Sequence, residues 1–230
     1  DARERVIKLG ENPEMVINTG CPSIDLARDI EHETSLNFNP IDKYGGVGSK
    51  IDWKKGYIVV MQHPVTTEYS KSREHIMETL RAVKKSGIPA FWFWPNVDAG
   101  SDGTSNGIRT FREQENPGNI HFFKNMEPLD FLRLLKFSKL LVGNSSAGIR
   151  ECSYLGVPAL NIGNRQMRRF RAENVTDVNY NTEDILNDID NLYKRAHFKK
   201  STIYGNGNAG KQIAEIIASI ELTSSKTICY

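Results

Sequence analysis

Cysteine is scarce in this chain, with three residues in 230, Cys21, Cys152 and Cys229. They lie far apart, are odd in number, and form neither a Cys-x-x-Cys pair nor a Cys/His spacing suited to zinc. This pattern argues against a disulfide framework and against a structural zinc site. Free cysteines fit a reducing compartment, so we expect a cytoplasmic protein.

Long apolar runs and an excess charge of one sign are also lacking. No run is long enough to span a bilayer, and no signal peptide is visible. Lys and Arg number 30 against 28 Asp and Glu, giving a formal net charge of +2. We therefore expect neither a membrane nor nucleic acid as a partner. The basic segment 165–171 (RQMRRFR) is a local exception that needs its own explanation.

Several familiar catalytic signatures are missing as well. The sequence contains no P-loop, no GxGxxG fingerprint and no nucleophile-elbow serine. The loops predicted below to carry a ligand hold no clustered carboxylates, so we predict no metal site and no cofactor.

What the sequence does contain is an alternation of short apolar runs and amphipathic segments. With 39% hydrophobic residues it is rich enough for a real core. Fully apolar strands alternating with helices are typical of a parallel sheet covered on both faces, so we predict an α/β, doubly wound, Rossmann-like domain spanning residues 1–230. The predicted strands are 15–20, 57–61, 89–94, 120–123, 140–142 and 159–162. The predicted helices are 23–30, 72–85, 128–138, 182–195 and 209–222, and 31–56 is expected to be a long loop or weakly structured insertion.

Ligands of such sheets bind where strands lead into helices, which draws attention to the segment after residue 142. Ser145 and Ser146 stand at a predicted helix start, where two hydroxyls and free N–H groups could hold a phosphate. The alternative is a simple N-cap. Glu151 lies five residues past Ser146, roughly 7.5 Å along a helix axis, a reach that suits ribose hydroxyls. Alternatively it is a surface glutamate favoured by the helix dipole.

Three more candidates follow other predicted strands. Arg165 could support a diphosphate or be a solvated arginine. His63 is the histidine placed directly after a strong strand, and it could act as a general acid or a phosphate donor, or be structural. Asn96 could bind a base or a hydroxyl, or only form a turn.

Taken together, these segments resemble the hydrolysing UDP-N-acetylglucosamine 2-epimerase family. The matching stretches are GCPSID (20–25), QHPVTT (62–67), PNVDAGS (95–101), VGNSSAGIRE (142–151), GVPALNIGNRQ (156–166), ENV (173–175) and YGNGNA (204–209). They occur in order and span nearly the whole chain.

The resemblance implies the C-terminal, nucleotide-binding half of a GT-B fold enzyme. His63 would lie near the diphosphate and assist departure of UDP, while Ser145 and Ser146 would contact phosphate and Glu151 the ribose. By the same resemblance Asn96 and Arg165 are expected to contact UDP.

The resemblance also implies that backbone near Asn125 and Met126 meets the uracil. The family's acid–base carboxylates belong to an N-terminal half that this chain lacks. We therefore expect the chain, which does not start with Met, to be a fragment or processed product that binds UDP weakly and turns over nothing. The full-length parent is expected to be a homo-oligomer.

Two alternatives stay open at this level. One is the donor-nucleotide domain of a GT-B glycosyltransferase, and the other is a non-enzymatic module that senses nucleotide sugars or dimerises. Within the resemblance, the chain departs from the family's usual residues at Asn164, in the segment 167–172 and at Asn206. These departures leave the identity of the sugar open, including a 2,4-diacetamido sugar.

Overall fold

A seven-stranded sheet forms the centre of the protein in the computed structural model, which describes residues 2–221. The strands are β1 (Val47–Gly48), β2 (Ile58–Met61), β3 (Ala90–Phe93), β4 (Ile120–Phe123), β5 (Leu140–Gly143), β6 (Ala159–Ile162) and β7 (Val175–Val178). Their order in the sheet is β1-β4-β3-β2-β5-β6-β7. All neighbouring pairs are parallel except β1, which pairs antiparallel with β4 at one edge.

Helices connect the strands and cover the sheet. They are α1 (Ala2–Lys8), α2 (Pro22–Asp29), α3 (Pro40–Tyr44), α4 (Ser72–Ser86), α5 (Ser101–Glu115), α6 (Pro128–Lys136), α7 (Glu151–Leu155), α8 (Thr182–Tyr193) and α9 (Ala209–Ser219). Short 3₁₀ turns occur at Pro13–Met15, Thr66–Lys71 and Ser146–Gly148. No helix within residues 2–221 is both long and apolar enough to cross a membrane.

The core consists of two apolar layers, one on each face of the sheet. On one face, side chains such as Leu80 of α4, Ile108 of α5 and Ile189 of α8 pack against the strands. On the other, Leu134 of α6 and Cys152 of α7 belong to the second layer. Helices on both faces explain why the strands are apolar throughout rather than alternating. The predicted doubly wound α/β fold is confirmed, with a mixed rather than purely parallel sheet.

The predicted strand at 15–20 is wrong. Its backbone is held by side chains instead of a neighbouring strand, because the Arg3 guanidinium donates to the carbonyl of Val16 and, just before the segment, to that of Pro13, and Oδ1 of Asn18 accepts the N–H of Gly20. Met15 and Ile17 are 50% and 49% exposed. An apolar run that finds no strand partner does not join a sheet, whatever its intrinsic propensity.

Elements α1, α5 and β7 are absent from the prediction, and so are α3 and β1 within the segment 31–56. The glycines of α5 weaken its helix signal in the sequence, because glycine is a poor helix former. A Cβ on Gly107 would lie 2.6 Å from Cγ2 of Ile76, so glycine is what allows α5 to pack closely on α4. Strand β7 is short, half-exposed and polar at Asp177, which hides it from a search for apolar runs.

The other predicted strands and helices are present, with ends that move by a few residues. Helix α8 stops at Tyr193 instead of 195. Helix α9 stops at Ser219, and residue 222, where we had expected its end, lies outside the described residues.

Candidate functional site

The sheet order reverses between β2 and β5, and the candidate site lies at the carboxyl ends of these two strands. From β2 the chain moves outward through β3 and β4, then returns to place β5 on the opposite side of β2. Such a reversal opens a crevice at the sheet edge, where ligands of this fold class bind. Gly143 allows the close approach of the two strand ends, since it has φ +131° and a Cβ there would lie 2.2 Å from the Met61 carbonyl oxygen.

Asn144, fully buried, joins the loops at this crevice. Its Oδ1 accepts the backbone N–H of His63 at 2.7 Å, and its Nδ2 donates to the His63 carbonyl at 2.8 Å. Its own carbonyl accepts from Nη1 of Arg165 at 3.3 Å and from Nε2 of Gln166 at 2.7 Å. Asn144 therefore fixes the loops that follow β2, β5 and β6 with respect to one another.

Asn144 and Gln166 are functional candidates that our sequence reasoning missed. Asn144 lies inside the very stretch that holds the two serines, and a buried amide directly after an apolar strand is a usable signal. Buried polar side chains must find partners, so such an amide is expected to bridge loops.

His63 is buried and electrically neutral. Its Nδ1 accepts the backbone N–H of Asn96 at 3.1 Å, so the ring proton of the neutral form lies on Nε2. Burial, together with the positive charge of Arg165, lowers the pKa of His63 to about 4, and the charge of Asp98 partly opposes this shift. At neutral pH the ring is thus an Nε2–H hydrogen-bond donor and not an imidazolium.

Arg165 reaches across the crevice to the loop after β3. Its Nη2 lies 3.5 Å from Oδ2 of Asp98, and its side chain is 26% exposed. The predicted contact residue Asn96 lies in the same loop, with an exposed side chain and its backbone N–H bound to His63. The structure therefore brings His63, Asn96 and Arg165 together, and adds Asp98 as the partner of Arg165.

Ser145 and Ser146 follow Asn144 directly and are half-buried. Ser145 is the N-cap of the 3₁₀ turn Ser146–Gly148, and its Oγ accepts the N–H of Ala147 at 3.3 Å. A serine that caps in this way uses its oxygen as acceptor and keeps its O–H proton available for another oxygen. Capping and ligand contact are therefore compatible at Ser145.

The continuous helix expected from Ser146 to Glu151 is not formed. The 3₁₀ turn Ser146–Gly148 and α7 are separate elements with two residues between them, so the axial separation expected for one α-helix does not apply. The interpretation of Glu151 as a surface residue is also wrong. Glu151 is 6% exposed, and its Oε2 is buried without a hydrogen-bond partner among the described residues.

Asn125 and Met126 follow β4, which lies two strands from β2, a distance of about 10 Å. Asn125 is exposed and Met126 is buried in the apolar layer that contains Leu134. The N–H of Met126 is already bound by Oδ1 of Asn125 at 2.9 Å. These two residues make no described contact to His63, Asn96 or Arg165, and the same is true of the side chains of Ser145, Ser146 and Glu151. Across residues 2–221, no three His, Cys, Asp or Glu side chains cluster as metal ligands would.

Comparisons with known proteins agree with this geometry. The family described as UDP-N-acetylglucosamine 2-epimerase matches residues 1–218. A UDP-N,N'-diacetylbacillosamine 2-epimerase (hydrolyzing) of Legionella pneumophila is 25% identical over 223 residues, covering 97% of this chain and 56% of that protein. A UDP-N-acetylglucosamine 2-epimerase of Neisseria meningitidis is 26% identical over 220 residues, covering 94% and 55%.

Among solved structures, that of Methanocaldococcus jannaschii UDP-GlcNAc 2-epimerase in complex with UDP-GlcNAc and UDP superposes with a TM-score of 0.68 at 15% identity, covering 94% of this chain and 58% of that one. This likeness supports the fold. The chain spans little more than half the length of each of these proteins.

Proposed function

The chain belongs to the UDP-N-acetylglucosamine 2-epimerase family, and from that premise we propose that it is the UDP-binding half of a hydrolysing member. The observation that carries the proposal is the meeting of His63, Asn144 and Arg165 at the crevice, through hydrogen bonds of 2.7 to 3.3 Å. A guanidinium, a neutral imidazole donor and two serine hydroxyls are donors suited to a diphosphate.

The diphosphate would lie against Ser145 and Ser146, with Arg165 opposite. At present Arg165 pairs with Asp98 at 3.5 Å, which is long for a charge-assisted hydrogen bond. A diphosphate carries more negative charge than one carboxylate and offers oxygens at shorter range. It would therefore displace Asp98 as the main partner of Arg165.

His63 would donate its Nε2–H to a diphosphate oxygen and so stabilise UDP as a leaving group. Its pKa of about 4 makes it a hydrogen-bond donor rather than a reservoir of protons at neutral pH. Negative charge arriving beside the ring raises that pKa, so the hydrogen bond strengthens as the leaving group develops charge.

Glu151 would accept ribose hydroxyls. A buried carboxylate oxygen without a partner is costly, and a ligand hydroxyl would satisfy it. The uracil would then lie towards the loop after β4. There the N–H of Met126 is already bound by Asn125, so the backbone carbonyl of Met126 would be the contact group.

The reaction of the full-length parent would be an elimination followed by hydration. Removal of the C2 proton with cleavage of the C1–O bond releases UDP and leaves a C1=C2 glycal, and water then adds with inversion at C2. The free product would be a 2-epimerised N-acetyl sugar of the kind used for sialic and nonulosonic acids. The QHPVTT form of segment 62–67 favours this hydrolysing branch. The acid–base carboxylates would come from the other half of the parent. We expect the full-length parent to be a cytoplasmic homo-oligomer.

Calorimetry with UDP tests the binding part of this proposal. Replacing Ser145 and Ser146 by Ala should weaken UDP binding by about tenfold or more, because each lost contact to a charged oxygen is worth about 1.5–3 kcal/mol. Ser86→Ala is the matched control, since this serine also makes hydrogen bonds to the backbone but is the last residue of α4, before β3, at the opposite edge of the sheet from the crevice. Equal UDP affinity in the double variant and the control would mean that the serines only cap the turn.

A product assay tests the reaction part. The full-length parent given UDP-N-acetylglucosamine should release UDP and a free 2-epimerised sugar. Recovery of an epimerised nucleotide sugar, or transfer of the sugar to an acceptor, would contradict the hydrolysing assignment. UDP release by the purified 230-residue chain alone would contradict the placement of the acid–base carboxylates in the other half.

A further inference from the structure

The basic segment 165–171 is only partly explained by the diphosphate site. Arg165 reaches the crevice, and Arg171 binds the carboxylate of Asp177. The intervening Phe170 turns towards a different place, where its carbonyl accepts the hydroxyl of Tyr204 at 2.6 Å. This contact lies beside a cavity of about 540 Å³, a volume in the range of small-molecule sites.

We call this space the arginine cavity. Its wall is built from the start of α1, the segment before α2, the turn before α7 and the loop before α9. It includes Arg3, Asn18, Cys21, Arg150, Phe170 and Tyr204. None of the candidate residues of the diphosphate site lines it.

The charge of this wall is one-sided. It contains two arginines and no Asp or Glu from the part of the chain that the structure describes. Arg3 donates to the carbonyls of Val16 and Pro13 at 2.7 and 3.0 Å, and carbonyls do not neutralise a guanidinium. One positive charge on the wall therefore has no ionic partner among residues 2–221.

Arg150 is also incompletely satisfied. Its Nε is buried and has no hydrogen-bond partner within residues 2–221. Its Nη1 has only the Sγ of Cys21 at 3.9 Å, and its Nη2 lies 3.4 Å from Oε1 of Glu151. Within the described residues, Arg150 therefore has one donor, Nε, without a partner and a second, Nη1, with only a weak sulfur acceptor, which suits this guanidinium to an anion.

Tyr204 lies in the same positive field. Burial raises the pKa of its hydroxyl, and the charges of Arg169, Arg150 and Arg171 act in the opposite direction. The chain as a whole carries a formal charge of only +2, so this accumulation is local.

We propose that the arginine cavity is a second binding site that takes a small hydroxylated anion, such as a sugar phosphate or a sugar acid. The anionic group would occupy the free edge of Arg150, with Arg3 supplying further charge. The amides of Asn18, Asn206 and Gln212 and the hydroxyl of Thr202 are suited to sugar hydroxyls. The donors of this site are separate from those of the diphosphate crevice, and the link between the two sites is the ion pair of Arg150 with Glu151 at 3.4 Å.

NMR titration of the ¹⁵N-labelled 230-residue chain, with UDP present in excess, tests this site. Glucose 6-phosphate should shift the Nε–H signal of Arg150 and the amide signals of Gly20 and Gly205 in a saturable way. Inorganic phosphate and glucose should each bind more weakly than glucose 6-phosphate. Titration with gluconate shows whether a carboxylate can take the place of the phosphate group. Arg150→Gln should weaken glucose 6-phosphate binding about tenfold or more, and Arg195→Gln, at an exposed position outside the cavity, should leave it unchanged.

Two results would overturn the inference. One is the absence of saturable shifts at Gly20 and Gly205, and the other is equal affinity in the wild type and in Arg150→Gln. Arg3→Gln, on the exposed helix α1, provides a second variant if Arg150→Gln does not fold. If glucose 6-phosphate binding is lost in the variant lacking the hydroxyls of Ser145 and Ser146, the anion belongs to the diphosphate crevice. That outcome would contradict the proposal of a second site without affecting the proposed UDP site.

Discussion

Replacement of Asn144 by Ala is expected to change the protonation of His63 as well as the stability of the fold. The substitution removes two hydrogen bonds, of 2.7 and 2.8 Å, that hold the backbone of His63. Both partners are buried, so a donor and an acceptor are left unsatisfied at about 1–3 kcal/mol each. We therefore expect a loss of about 2–6 kcal/mol in the free energy of unfolding.

The second consequence concerns the imidazole ring. With its backbone released, His63 loses the fixed position in which Nδ1 accepts the N–H of Asn96. The ring then gains access to water, and its pKa rises from about 4 towards the ordinary value of about 6.5. Denaturation in urea measures the stability, and NMR titration of the histidine ring signals measures the pKa.

Asn119→Ala is the matched control for this prediction. Asn119 likewise makes two side-chain hydrogen bonds to the backbone, here both donated by Nδ2 to the carbonyls of Val83 and Ile88, but it precedes β4 at the opposite edge of the sheet. The control should lose stability while the pKa of His63 stays about 4. Equal His63 pKa values in Asn144→Ala and Asn119→Ala would refute the positioning role. If Asn144→Ala does not fold, Asn144→Asp keeps the acceptor and adds a negative charge, which should raise the His63 pKa further.

Three further outcomes are expected from the same geometry. Because the pKa of His63 is lowered from about 6.5 to about 4, its contribution to stability is complete above pH 6.5 and declines as the pH falls towards 4. Up to about 3 kcal/mol of the free energy of unfolding is lost over that range. Urea denaturation at several pH values should show that the stability of His63→Gln depends less steeply on pH. Gly143→Ala places a Cβ 2.2 Å from the Met61 carbonyl at φ +131°, so thermal unfolding should show a large loss of stability; a wild-type Tm would contradict the tight strand approach. Arg165→Lys should weaken UDP binding in calorimetry about tenfold, since lysine lacks the planar fork, and an unchanged affinity would remove Arg165 from the diphosphate site.

The sheet and the location of the site were predictable because they depend on features that the sequence displays directly. Buried parallel strands are apolar throughout, so β2 to β6 are visible as short apolar runs. The polar residues after them must then lie at one edge of the sheet, which predicts the neighbourhood of His63, Ser145 and Arg165. These inferences need only the type of each residue and its place after a strand.

Other features depend on contacts between distant residues, and the sequence does not display those. The apolar run at 15–20 has strand-like composition, but it is held by Arg3 and Asn18 instead of a neighbouring strand. Helix α5 is concealed by glycines whose purpose is visible only when α4 lies beside them. The burial of Glu151 likewise depends on the helices that pack around α7.

One topological fact underlies the properties of the candidate site. His63 and Asn144 are 81 residues apart in the sequence, and they meet because β5 returns to the side of β2 opposite to β3. Burial at that junction removes the positive charge from His63, while Arg165 retains its own charge next to the weakly bound Asp98. An entering diphosphate would take Arg165 from Asp98 and raise the pKa of His63 at the same time. A neutral ligand could do neither, so under the proposed function the junction would favour anions before any sugar contact is made.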